Sequence, residues 1–229
     1  MNYIDSEILI SHGVTVSDLY LGAFELKMKA EQLVREGKNA DRLYESEYRI
    51  ISALAEMEDP ASMILLGEML QGGRAPYEDG DPVLKAMDVW LKAAKKGEAR
   101  GYTNIGLVYL HRAVPGGGDN FGSVTYDPEK ALNYFRLGYD NGDSKAGRHI
   151  GLCYRDGIGT HPDPQLAYLW FCRAAQRNDS TARYLKAECL YYGNGVTQNR
   201  QQALEIMKEL IAQNAHDAAK AHDFIQKNQ

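Results

Sequence analysis

The sequence contains no apolar run approaching the eighteen or more residues that a membrane helix needs. Its first twenty residues, MNYIDSEILISHGVTVSDLY, lack a basic start and a long apolar core, and Asp5 and Glu7 come early, so they do not read as an export signal. Cysteine is scarce and odd in number: Cys153, Cys172 and Cys189 are the three in 229 residues. Without an export signal they are expected as free thiols in a reducing compartment, which makes the cytoplasm the expected location. No CxxC pair and no HxxxH spacing occurs, which removes the usual structural zinc patterns. His12, His111, His149, His161, His216 and His222 are scattered and no nucleophile motif accompanies them. The expectation is therefore a non-catalytic chain with no metal and no cofactor. Positive charge is not in excess either: the net charge is -5, which speaks against nucleic-acid and anionic-membrane partners.

What the sequence does contain is self-similarity. Apolar residues make up 44% and charged residues 25%, ordinary for a globular chain long enough to bury a substantial core. The stretch from Ala146 lies over the stretch from Ala182 at an offset of 36, pairing Cys153 with Cys189, Gly157 with Gly193, Gly159 with Gly195 and Ala167 with Ala203. Extended backwards, Gly67, Gly106, Gly151 and Ala187 share one position, and Ala86, Ala131, Ala167 and Ala203 share another. Each unit reads as two helices. Ala146, Ile150, Gly151 and Tyr154 share one face of the first helix, while Leu166, Ala167, Trp170, Phe171 and Ala174 share one face of the second. Gly97, Gly142, Asn178 and Asn214 recur where left-handed C-terminal caps are expected.

The repeat also settles what the glycines of CYRDGIGT, residues 153–160, are for. A phosphate-binding loop is expected once, after a strand and before Lys-Ser or Lys-Thr. Gly157 and Gly159 instead recur as Gly193 and Gly195 between the helices of a unit, so they read as turn residues. YEDGD, residues 77–81, lacks the spacing of a calcium loop and reads as a solvated turn. The insertion at residues 111–130 carries three consecutive glycines with Phe121 and Tyr126, and those two aromatics make it a candidate binding loop.

LGEML…KAMDVWLKAAKKGE, IGLVY…KALNYFRLGYDNGD and IGLCYRDGIGT…LAYLWFCRAAQRND resemble the Sel-one-like repeat, a relative of the tetratricopeptide repeat. The resemblance implies an all-α fold, a right-handed α-solenoid of antiparallel helix pairs in one domain. About four repeats are expected over 61–217, with capping helices over 1–60 and 218–229. Departures from the pattern are Ala187 at the helix glycine, and Met207 with Leu210–Ile211 where aromatic and Ala-Ala residues are usual. By analogy with tetratricopeptide grooves, the positions three before, one after and four after each helix glycine face a concave surface. These are Ile64, Glu68 and Gln71; Thr103, Leu107 and Leu110; Arg148, Leu152 and Arg155; and Tyr184, Glu188 and Tyr191. Tyrosine and arginine suit protein interfaces, and two arginines could clamp carboxylates of a peptide. The resemblance implies a protein-interaction scaffold or adaptor whose partner is another protein or a peptide. Two alternatives stand beside it: a cytoplasmic immunity protein against a cognate secreted toxin, a variant of the adaptor reading that the small acidic build fits, and, as some secreted relatives imply, a peptidoglycan- or β-lactam-related enzyme.

Overall fold

The computed structural model describes residues 13–76, 80–111 and 121–228. Tyr77, Glu78 and Asp79 of the YEDGD loop and residues 112–120 of the insertion, with its three consecutive glycines, lie outside the described residues. The chain divides into two compact units, Met1–Tyr126 and Asp127–Gln229. The first holds α1 (Val16–Arg35), α2 (Asp41–Glu56), α3 (Pro60–Gln71), α4 (Pro82–Lys95) and α5 (Arg100–Tyr109). The second holds α6 (Pro128–Asp140), α7 (Ser144–Asp156), α8 (Pro164–Gln176), α9 (Ser180–Tyr192), α10 (Arg200–Ala212) and α11 (Ala218–Lys227). Within each unit every helix packs on its neighbours in the chain, and no strand occurs among the described residues. The fold is all-α, built of antiparallel helix pairs, as the repeat implies.

Local sequence places the helix ends. Asp59, Asp81, Asp127 and Asp163 each accept a hydrogen bond from a first-turn backbone N–H, and each precedes a proline at the first helical position. The aspartate satisfies an otherwise orphaned donor and the proline needs none, a pairing that stabilises a helix start by about 1 kcal/mol. Asp143, Asp179 and Asn199 cap α7, α9 and α10 in the same way. The expected C-terminal signals also operate: Gly97, Gly142, Asn178 and Asn214 all have positive φ. Gly157 and Gly193 are left-handed caps of α7 and α9.

The two repeated small-residue positions are where the helices of a pair meet. Ala86, Ala131, Ala167 and Ala203 are buried, and so are Trp90, Phe135, Phe171 and Met207 one turn later. A Cβ on Gly67 would lie 2.7 Å from Trp90 Cδ1, and one on Gly151 would lie 2.5 Å from Phe171 Cε1. The helix glycine is therefore the counterpart of the aromatic ring. In the last repeat both change together: Ala187 carries the extra carbon, and flexible Met207 replaces the ring in the same buried cluster.

This reciprocity has a measurable consequence. Gly151→Ala should destabilise by about 1–3 kcal/mol through overpacking against Phe171. Adding Phe171→Met, which copies the last repeat, should recover part of that loss. Denaturant unfolding of the two single variants and the double measures the coupling, and strict additivity would contradict the pairing.

Candidate functional site

Three surfaces bear on function, and they differ in what they leave accessible. In the first unit the expected groove positions are deep: Glu68 is 6% exposed, Gln71 0%, Thr103 3%, Leu107 6% and Leu110 8%. Glu68 lies among Arg100, Asn104, Lys27 and Arg74, and burial pushes its carboxyl above the ordinary range while these neighbours pull it back. Glu47 on α2 is similar: desolvation raises its carboxyl, and Arg74 stands 3.6 Å away. Both Gln71 side-chain amide atoms, Glu47 Oε2 and Arg100 Nε are buried with no hydrogen-bond partner among the described residues. A wider cleft of about 450 Å³ opens elsewhere in this unit, lined by Tyr48, Leu66, Leu70, Leu84, Lys85, Asp88 and Val89. It contains none of the expected groove residues.

The described end of the insertion forms a small aromatic cluster. His111, at φ 51°, stacks on Phe121 with ring centroids 5.1 Å apart and meets Tyr126 edge-on at 5.7 Å. His111 Nε2 lies 2.8 Å from the Val124 carbonyl oxygen. Ser123 N and Oγ both donate to Asp81 Oδ2, at 2.6 and 2.7 Å, tying the loop to the start of α4. Tyr126 remains 51% exposed.

The second unit holds a cleft of about 380 Å³ between α7, α8 and α9. Pro164, Ala167 and Phe171 from α8 line it together with Leu185, Glu188, Cys189 and Tyr192 from α9, and Arg155 and Asn194 complete the wall. Two expected groove residues, Arg155 and Glu188, meet here. Leu152 and Tyr184 pack at the edge of the same apolar cluster. The Arg155 guanidinium is engaged by its neighbour, with Nε and one terminal nitrogen 2.7 and 2.9 Å from the two Asp156 carboxylate oxygens. Glu188 accepts a hydrogen bond from the Tyr184 hydroxyl at 3.0 Å. Burial pushes the Glu188 carboxyl above its ordinary range, while the Tyr184 hydrogen bond, Arg155 and Lys220 act the other way. The Cys189 thiol is pushed up to about 11, first by burial and then by the charge of Glu188.

Arg148 and Tyr191 serve the fold from where they stand. Arg148 Nε donates to Asp179 Oδ2 at 3.2 Å, and Asp179 is the buried cap of α9. Tyr191 is 8% exposed and lies under α11, edge-on to Phe224 at 5.1 Å. Leu185 and Tyr192 were not among the expected site residues, and Phe171 was expected only as a packing residue, yet the register explains the cleft they line. One repeat earlier, the position of Leu185 is His149, whose ring stacks on Phe135 at 5.0 Å. Leucine at 185 lines the cleft where the preceding repeat has histidine, and Phe171 beneath it is fully buried.

The comparisons with known proteins agree with this architecture. Residues 60–98, 116–143, 146–179 and 180–214, more than half of the chain, match the Sel1 repeat. An F-box protein of Arabidopsis thaliana is 27% identical over 145 residues, 63% of this chain but 36% of the relative, so the chain spans little more than a third of that protein. The crystal structure of a Sel1 repeat protein from Oxalobacter formigenes covers 93% of this chain and 79% of its own, at 22% identity and a TM-score of 0.62. Cysteine rich protein B of Helicobacter pylori is 20% identical, with 60% of this chain and 92% of that one covered and a TM-score of 0.45. Repeated helix pairs, the small-residue register and four matching stretches lead to one conclusion: the chain belongs to the Sel1 repeat family.

Proposed function

We propose that this protein is a non-catalytic interaction scaffold that captures a segment of another protein, with the cleft between α7, α8 and α9 as its principal contact. The observation that carries the reading is the composition of that cleft. Apolar Pro164 and the edge of Leu185, over the buried Phe171 and Ala167, are rimmed by Arg155, Glu188, Asn194 and the half-exposed ring of Tyr192. Apolar centres with tyrosine and arginine at the edge are the usual make-up of protein contact sites. Its volume lies in the range of roughly 300–1,000 Å³ typical of binding pockets.

Cys189 supports the non-catalytic side of the proposal. A thiol with its pKa near 11 is protonated at neutral pH and a poor nucleophile, although it sits beside Glu188. Free thiols at Cys153, Cys172 and Cys189 fit a reducing compartment, and we place the protein in the cytoplasm on that ground.

Leu185→His tests the site with little risk to the fold, because the chain already holds histidine at this register in the preceding repeat. The imidazole should replace the apolar wall at 185 with a polar ring and so weaken apolar contact in the cleft. Affinity capture from the native host with wild type and the variant should lose the partner at least about tenfold in the variant, equivalent to ~1.4 kcal/mol. Equal recovery by both, with unchanged circular dichroism, would place the contact elsewhere.

A further inference from the structure

We propose that the cleft between α7, α8 and α9 is a subsite for a basic side chain, lysine or arginine, of the captured segment. The inference rests on the capture reading above and goes beyond it by assigning the chemistry of the occupant.

Charge complementarity carries the assignment. Of the two ionised groups in the cleft wall, Arg155 is already matched: Asp156 meets its guanidinium through two hydrogen bonds of 2.7 and 2.9 Å. Glu188 is held differently. It accepts a hydrogen bond from the neutral Tyr184 hydroxyl at 3.0 Å. Lys220 is near enough to act on it electrostatically, but the Lys220 ammonium is itself bound to Asp217 Oδ1 at 2.8 Å. Glu188 is thus a half-buried carboxylate that forms no ion pair among the described residues, Arg155 and Lys220 acting on it only electrostatically while bound to Asp156 and Asp217. Its raised carboxyl pKa has desolvation as the first cause.

A basic side chain complements both this carboxylate and the apolar wall beside it. Its aliphatic stem would lie against Pro164, the edge of Leu185 and the ring of Tyr192, as long cationic side chains cover apolar surface while the head remains polar. The head would reach Glu188 and replace the hydration that burial removed, and the ring of Tyr192 at the mouth offers a further face to a cation. A carboxylate occupant fits less well, because it would compete with Asp156 for Arg155 and approach Glu188 with like charge.

The test is selection of a randomised linear peptide library on the full chain, with Glu188→Gln and Leu185→His in parallel. Glutamine retains an acceptor for Tyr184, so Glu188→Gln removes the charge while keeping the hydrogen bond. The expected result is enrichment of lysine or arginine at one position, with affinity falling about tenfold or more on Glu188→Gln, as for loss of a charged hydrogen-bond partner. Replacing that basic residue by norleucine in a synthetic peptide should have the same effect on wild type and little on Glu188→Gln. Peptides that lose binding on Leu185→His but are indifferent to Glu188→Gln and to norleucine would overturn the basic subsite and leave capture at the cleft standing. A library yielding nothing sensitive to Leu185→His would overturn both.

Discussion

Replacing Trp90 by alanine is expected to destabilise the first unit by about 3–5 kcal/mol, the range for removing a fully buried large aromatic side chain. Trp90 is 0% exposed, fills the space that Gly67 leaves, and donates its indole N–H to the Ile64 carbonyl at 3.1 Å. Alanine would remove the packing and also leave that buried carbonyl without its side-chain donor. The backbone of Trp90 is itself close-packed: a Cβ on Gly101 would meet its carbonyl carbon at 3.1 Å. Relaxation around the cavity is therefore restricted on two sides, which favours the upper part of the range. A loss of this size corresponds to a fall in melting temperature of about 6–20 °C for a chain of this length. Circular dichroism at 222 nm measures it. The chain has two tryptophans, so Trp170 remains as the fluorescence reporter of the second unit in the variant. A melting temperature within about 2 °C of wild type would contradict the role given to Trp90.

The second large effect is expected at Gly195, and the comparison with Gly193 shows why. Both have positive φ, 71° and 79°, so alanine at either would adopt the left-handed conformation at a cost of about 1–2 kcal/mol. Their surroundings differ. A Cβ on Gly193 would approach Gln198 Cβ at 3.3 Å, a side-chain contact that can give way. A Cβ on Gly195 would overlap the Pro164 carbonyl and stand 2.7 Å from Gln165 N, at the rigid first turn of α8. Gly159 approaches the start of α6 in the same manner, with Glu129 N 3.0 Å from a Cβ. The second glycine of each GxG pair thus lets the turn of one repeat dock on the helix start of the repeat before it. Gly195→Ala should cost about 3 kcal/mol or more, by adding steric overlap of about 1–3 kcal/mol to the backbone term. Gly193→Ala should cost about 1–2 kcal/mol. Urea unfolding of both variants decides the point, and equal losses would mean that backbone conformation alone accounts for both glycines.

That result bears on what the sequence could disclose. The helix pairs were legible because Ala86, Ala131, Ala167 and Ala203 repeat in register, and a buried small residue at a helix crossing tolerates little else. Turn glycines were legible as turn residues, but the docking of Gly195 on Pro164 was not, because it joins residues in different elements. The Asp-Pro pairs at 59–60, 81–82, 127–128 and 163–164 were an unused signal of four helix starts.

The candidate site was less accessible to sequence reasoning, for two physical reasons. Spacing from the helix glycine gives the direction of a side chain along its own helix, and says nothing of what covers it. Gln71 and Tyr191 occupy the same repeat position as Arg155, yet they are buried while Arg155 is exposed. The second reason is pairing. Arg148 and Arg155 looked like two cations available to a ligand, but Asp179 and Asp156 already hold them. Glu188 emerged as the distinctive group only when its neighbours were known. A double Arg148→Ala, Arg155→Ala variant would therefore mix lost binding with damage to the α9 cap, which makes Leu185→His the cleaner probe.

The most direct measurement is site-specific photo-crosslinking in the native host. A benzophenone amino acid in place of Tyr192, which is 53% exposed at the mouth of the cleft, reports what comes within reach of Leu185 and Glu188. A control photoprobe replaces Leu84 in the first unit, which is 50% exposed. Capture through the cleft requires a discrete protein adduct from position 192 that is absent from position 84 and disappears when Leu185→His is added. The same adduct from both positions, or one from 192 that survives Leu185→His, would contradict it.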